Sequence, residues 1–77
     1  MFYLRERGMS ISYKKLWKLL IDNEMNKVDL KRAAGISSVT LAKLGKNASV
    51  TTTTLVRICH ALHCDTSDIM EIVENGE

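Results

Sequence analysis

The segment KVDLKRAAGISSVTLAKL, residues 27–44, decides the fold. Val28 and Leu30 are the large apolar residues of its first half, and Ala33 and Ala34 are small enough to let another helix approach closely. Gly35 follows them at the left-handed position that a helix C-terminus often needs. Ile36 then plugs a turn, Ser37 offers an N-cap, and Leu41 and Leu44 point the next helix inward at i, i+3 spacing. The pattern predicts a short helix over about 27–34 and a second that starts after Ser37, or one residue either side, and stops near Gly45. Leu30, Ile36, Leu41 and Leu44 hold the two at a steep angle, which leaves the other face of the second helix free to project outward.

Working outward from this hairpin, an earlier helix is predicted after Ser12, a candidate N-cap, with Tyr13, Leu16, Trp17 and Leu20 on one stripe. Lys14, Lys15 and Lys18 lie off that stripe, and the polar residues Asp22, Asn23 and Glu24 end it. On the other side, residues 46–49 (KNAS) form a polar connection, and Thr51 caps a helix with Leu55, Ile58, Cys59 and Leu62 at i, i+3, i+4, i+7. Asp65, answered by Asp68 as an approximate capping box, predicts one more helix that returns Ile69, Ile72 and Val73 to the core. With no proline and four glycines, the expectation is all-α: a compact five-helix domain over 11–73, an N-terminal extension over 1–10 and a frayed tail over 74–77.

Seventy-seven residues suffice for one domain and one modest core, since a chain this short buries only about 60% of its unfolded surface. Hydrophobic content of 45% with 26% charged residues is ordinary globular composition, and no apolar run approaches the roughly 20 residues needed to cross a bilayer. Arg5, Glu6 and Arg7 interrupt the start, so no secretory leader is expected there. The codons for residues 5–8 can be purine-rich throughout, as a ribosome-binding site would be, which makes Met9 a candidate native start. Cys59 and Cys64 fall within or beside an apolar helical pattern rather than in a disulfide framework, and a reducing cytoplasm is expected. The charge is uneven: residues 1–50 hold ten Lys/Arg against four Asp/Glu, a balance of +6, whereas residues 51–77 hold one Arg against five acids, −4. Such polarity points to an oriented partner such as nucleic acid on the basic side. On charge alone, a solvated face that happens to be basic is the simpler account.

The residues of the hairpin carry more than charge does. Leu30, the run Ala34, Gly35, Ile36 and Ser37, then Leu41 and Leu44, followed by Val50, Thr51, Leu55, Ile58, Cys59, Leu62, Asp68 and Ile69, resemble the Cro/CI-type (XRE-like, lambda-repressor-like) helix-turn-helix family over about residues 11–73. The resemblance implies a helix-turn-helix formed by helices 2 and 3. It also implies a third helix that reads bases in the major groove, with Ser38, Val39 and Lys43 at base edges and Ser37 and Thr40 close to backbone or bases. The chemistry of those positions agrees: Lys43 can donate to guanine O6 or N7, the hydroxyls can donate or accept, and Val39 can pack on a thymine methyl. Lys27, Lys46 and Asn47 flank the reading face and suit phosphates. Over residues 27–46, five Lys/Arg stand against one acid, Asp29, a local +4.

One position departs from the family. Lys31 stands where alanine is usual, at the near-contact of the two helices, and its aliphatic stem must pack while its ammonium reaches solvent. The reading residues are also small, without the Gln, Asn or Arg that make bidentate base contacts, so DNA shape gains weight in recognition.

The expected function is therefore a cytoplasmic, nucleoid-associated transcriptional regulator of bacterial or phage type that binds double-stranded DNA. It is expected to act as a repressor by occupancy, as a homodimer on a near-palindromic operator, with no cofactor, small-molecule ligand or membrane partner. Two alternatives stay open: a protein-interaction module such as an antitoxin component, and a nucleoid-type binder without sequence preference. The pattern Cys59, His60, His63, Cys64 suggests zinc, but on a regular helix His60 is rotated about 100° from Cys59 and the four cannot converge, so no metal site is expected. Nor is an enzyme: no nucleophile motif, phosphate loop or paired acid and base is present.

Overall fold

Side-chain oxygens set where the helices begin and left-handed residues set where they end. In the computed structural model, which describes residues 9–74, the order is β1 (Met9–Ser12), α1 (Lys14–Asp22), α2 (Lys27–Ala34), α3 (Ser38–Gly45), α4 (Thr52–Leu62), a 3₁₀ turn (Thr66–Asp68) and β2 (Glu71–Glu74). The expectations for 1–8 and 75–77 lie outside the described residues.

Three helices open with a side-chain cap. Asn26 accepts the Asp29 N–H at 2.8 Å while Asp29 accepts the Asn26 N–H at 3.0 Å, a reciprocal box that also puts an acid at the positive end of α2. Ser37 and Thr51 accept the N–H groups of Thr40 and Thr54 at 3.1 Å each, starting α3 and α4. α1 is the exception, since Tyr13 occupies its cap position without a side-chain bond and Ser12 instead accepts the Lys14 N–H at 3.2 Å. All four helices end on a residue with positive φ: Glu24, Gly35, Asn47 and His63. Each such reversal lets the next N–H turn back on the helix, Met25 to Leu20 O, Ile36 to Lys31 O, Ala48 to Lys43 O and Cys64 to Cys59 O. Those bonds satisfy carbonyls that a helix end otherwise leaves unpaired.

The core is one cluster. α1 gives Tyr13, Leu16 and Leu20; α2 gives Leu30 and Ala34; α4 gives Ile58 and Leu62; Ile36, Leu44 and Ile69 complete it. α3 enters through Leu44, fully buried, with Leu41 half-buried against the same cluster. A buried leucine contributes roughly 1.5–3 kcal/mol, so α3 is docked by a small apolar contact and depends on its connections at both ends.

The fifth helix does not form. Asp65 and Asp68 do make the expected capping box, with the Asp65 N–H donating to Asp68 at 2.9 Å, but it opens a single 3₁₀ turn. The chain then extends, and β2 pairs antiparallel with β1 through Met9↔Glu74, Ser10↔Val73, Ile11↔Ile72 and Ser12↔Glu71. Ile72 and Val73 are β-branched and favour a strand once a partner strand is at hand, and here that partner comes from the other end of the chain. The domain is therefore mostly helical with a small sheet, not all-α. Of the three residues expected to return to the core, Ile69 does, Val73 is half-buried, and Ile72 is 60% exposed because it lies on the strand.

Gly35 and Gly45 test the backbone logic separately. A Cβ at either would meet nothing within 4 Å, but only Gly35 has positive φ, +67°. Gly35→Ala is expected to lower unfolding stability by about 1–2 kcal/mol, while Gly45→Ala, at a helical position, should raise it by up to about 0.5–1 kcal/mol. Urea denaturation of both variants checks the contrast.

Candidate nucleic-acid interface

α3 is held at both ends by bonds from other elements. At its C-terminal end, the buried Tyr13 donates its backbone N–H to Asn47 Oδ1 at 3.0 Å and its hydroxyl to the Ala48 carbonyl at 2.9 Å. One residue before α1 thus grips two consecutive residues after α3. At the other end, Arg57 of α4 donates to the Gly35 carbonyl at 3.2 Å, tying the turn between α2 and α3 to the helix behind it.

With Leu41 and Leu44 turned inward, Ser38, Val39, Ala42 and Lys43 form the opposite, exposed face of α3, and Val39 is 67% exposed. The face carries no acid. Of the sequence-predicted positions, Ser37, Ser38, Val39 and Thr40 gather at its first turn and Lys43 lies one turn further on. Ser37 accepts the Thr40 N–H and donates its own hydroxyl proton to Thr40 Oγ1 at 3.0 Å, so Thr40 keeps its O–H to donate outward. Ser38 accepts from Lys31 Nζ at 2.7 Å. The Lys31 ammonium thus rests against the first turn of α3, at the exposed surface.

The predicted phosphate residues fall at separate places. Lys27 opens α2, exposed, with its ammonium 4.7 Å from the centre of the Trp17 ring, a cation–π contact that joins α1 to the start of α2. Lys46 is exposed at the C-cap of α3, about 12 Å along the helix from Ser38. Asn47 is exposed too, but its carbonyl oxygen serves Tyr13 and its backbone is left-handed at φ 57°, so it has a structural role that its sequence position did not reveal. Sequence reasoning also missed Arg57, whose signal was available: it is the one basic residue in the acidic second half of the chain. Lys15 turns the other way, toward Glu71 at 3.8 Å and the Ser67 carbonyl at 3.2 Å.

Cys59 and Cys64 meet at the turn that ends α4, where the Cys64 N–H donates to the Cys59 carbonyl at 3.0 Å. Burial pushes both thiols up, Cys64 to about 11. Among the described residues no three or more His, Cys, Asp or Glu side chains gather where they could hold a metal ion. No described helix is long and apolar enough to cross a membrane.

Residues 15–75 match the profile of the Cro/C1-type HTH DNA-binding domain. The chain belongs to that family. Among solved structures, this Cro/C1-type chain is similar to the crystal structure of the transcriptional regulator VanUg, form II, with 50% sequence identity, a TM-score of 0.86 and 96% of each chain covered. Among curated proteins nothing matches it. The family match covers the α2–α3 hairpin and Arg57 of α4, and it begins two residues after Tyr13.

Asn47→Ala removes the acceptor for a buried N–H and leaves a left-handed residue without its local bonding. It is expected to cost about 1–3 kcal/mol in urea unfolding, and Asn47→Gly should cost less, since glycine keeps the φ value. A residue engaged only with phosphate would leave both midpoints unchanged.

Proposed function

We propose that this Cro/C1-type domain is a sequence-specific transcriptional regulator, cytoplasmic and nucleoid-bound, that represses by occupying a near-palindromic operator as a homodimer. The observation that carries the reading is the exposed row Ser38, Val39 and Lys43 on a helix whose inner face is sealed by Leu44. A helix so presented enters the major groove, where Lys43 donates to guanine acceptors and Val39 meets a thymine methyl. Ser37 and Thr40 contact backbone or base at the near end, and Lys27, Lys46 and the amide of Asn47 contact phosphates on either side. The likeness to VanUg, a transcriptional regulator, supports the regulatory role.

Size supports the dimer. An eight-residue helix about 12 Å long spans only some three or four base pairs at about 3.4 Å each. Its small side chains supply few bidentate contacts, so useful specificity calls for a second copy on a half-site about 34 Å away.

The test is selection of bound duplexes from a random pool, followed by titration at several salt concentrations. Lys43→Ala is expected to change base preference at one position of each half-site, by on the order of ten-fold. Lys27→Ala should weaken all duplexes about equally and reduce the salt slope by about 1. Equal affinity for random and selected duplexes would instead indicate a nucleoid-type binder, and no salt-dependent DNA binding at all would indicate a protein-interaction module.

A further inference from the structure

Among the described hydrogen bonds, Lys31 is the one α2 side chain that joins the exposed face of α3, and it does so at 2.7 Å from Ser38 Oγ. An ammonium has three N–H donors and no acceptor, and a serine hydroxyl has one O–H and two lone pairs. When Lys31 takes one of those lone pairs, the positive charge polarises the hydroxyl, making its proton a better donor and its remaining lone pair a poorer acceptor. The ammonium still has further N–H groups beside it. A serine alone is ambivalent toward base edges, whereas this pair presents donors. In the major groove, guanine offers two acceptors, N7 and O6, and no donor; adenine pairs a single acceptor, N7, with a donor amine, cytosine offers a donor amine, and thymine a single acceptor beside a methyl group.

We propose that Lys31 is a specificity-determining residue that acts with Ser38 as a unit selecting guanine at one base position of each half-site. The inference rests on the reading role proposed for α3 and adds to it a residue from the neighbouring helix. The acid of its own helix does not compete for Lys31, since Asp29 is engaged with the Asn26 N–H and lies 3.9 Å from Arg32. The exposed first turn of α3 leaves the pair open to a ligand, and the short Lys31 to Ser38 bond holds both groups in place before DNA arrives.

The experiment is competition binding of the full chain to a panel in which each base pair of a selected duplex is replaced in turn. It uses the unmodified protein, Lys31→Met, Ser38→Ala and the double variant. The expected result is a guanine preference on the order of ten-fold at one position, lost largely in each single variant at that same position, with the double variant no worse than either single one. Lys31→Met keeps the packed stem, and circular dichroism melting shows whether it folds. Should it not fold, the same loss in Ser38→Ala, an exposed substitution, together with Lys31→Ala decides the question. The pairing is overturned if the Lys31 variants weaken every duplex equally with a shallower salt slope, as a phosphate contact would, or leave binding unchanged. If the unmodified chain binds all duplexes alike, the reading role of α3 fails first, which is a distinct outcome.

Discussion

Tyr13 determines where α3 sits. The helix buries one leucine fully and another in part, too little apolar surface to fix its direction, yet its C-terminal end must be immobile for the opposite face to have a defined orientation. Tyr13 supplies that constraint by bonding the side chain of Asn47 and the carbonyl of Ala48, with its own ring in the core. Both bonds cross between elements far apart in sequence, so forming them brings the start of α1 to the end of α3 and closes the domain around Leu16, Leu44 and Ile58. Since an unpaired buried N–H or hydroxyl costs about 1–3 kcal/mol, the two polar groups of Tyr13 also disfavour any packing in which α3 is rotated away.

Much of this was legible because it is local. The hairpin boundaries follow from Ala34, Gly35, Ser37 and Gly45, and the structure has α2 over Lys27–Ala34 and α3 over Ser38–Gly45. The stripes of α1 and α4 follow from helical spacing, and Leu16, Leu20, Ile58 and Leu62 are buried. What was not legible is non-local. The capping box at Asp65 and Asp68 is a correct local signal for a turn with helical geometry, but it does not say how many turns follow. Whether 71–74 continues as helix or becomes a strand depends on residues 9–12 lying alongside, and EIVE carries only two apolar residues from which to judge periodicity. Likewise Asn47 reads as a polar residue in a basic connection; that its amide serves Tyr13 needs the fold to be known. Three of the four helix-ending positive-φ residues are not glycine, so a left-handed glycine made one of the reversals and Glu24, Asn47 and His63 made the others.

The charge asymmetry of the sequence becomes a division of labour among the lysines. Lys15 lies by Glu71 and the Ser67 carbonyl, where it links α1 to the acidic C-terminal strand. At roughly half exposure for both partners that ion pair is worth about 0–1 kcal/mol, so it trims the orientation of β2 rather than holding it. Lys27, Lys43 and Lys46 have no acid beside them among the described ion pairs, and they stand at the start of α2 and along and after α3. The basic excess thus survives folding along α2 and α3, while Lys15 of α1 is met by Glu71 of β2.

Recognition and folding can vary independently over most of the exposed face of α3. Val39, Ala42 and Lys43 project from the helix without a bond to the scaffold among the described contacts, so exchanging them alters the exposed surface and leaves the Tyr13 clamp and the leucine contacts untouched. Ser38 differs because Lys31 ties it to α2. Lys31, bonded to Ser38, adds a cation from the neighbouring helix to the exposed first turn of α3. Substitution at Ser38 therefore changes the environment of Lys31 as well, and the two positions are constrained together while the rest of the face is not.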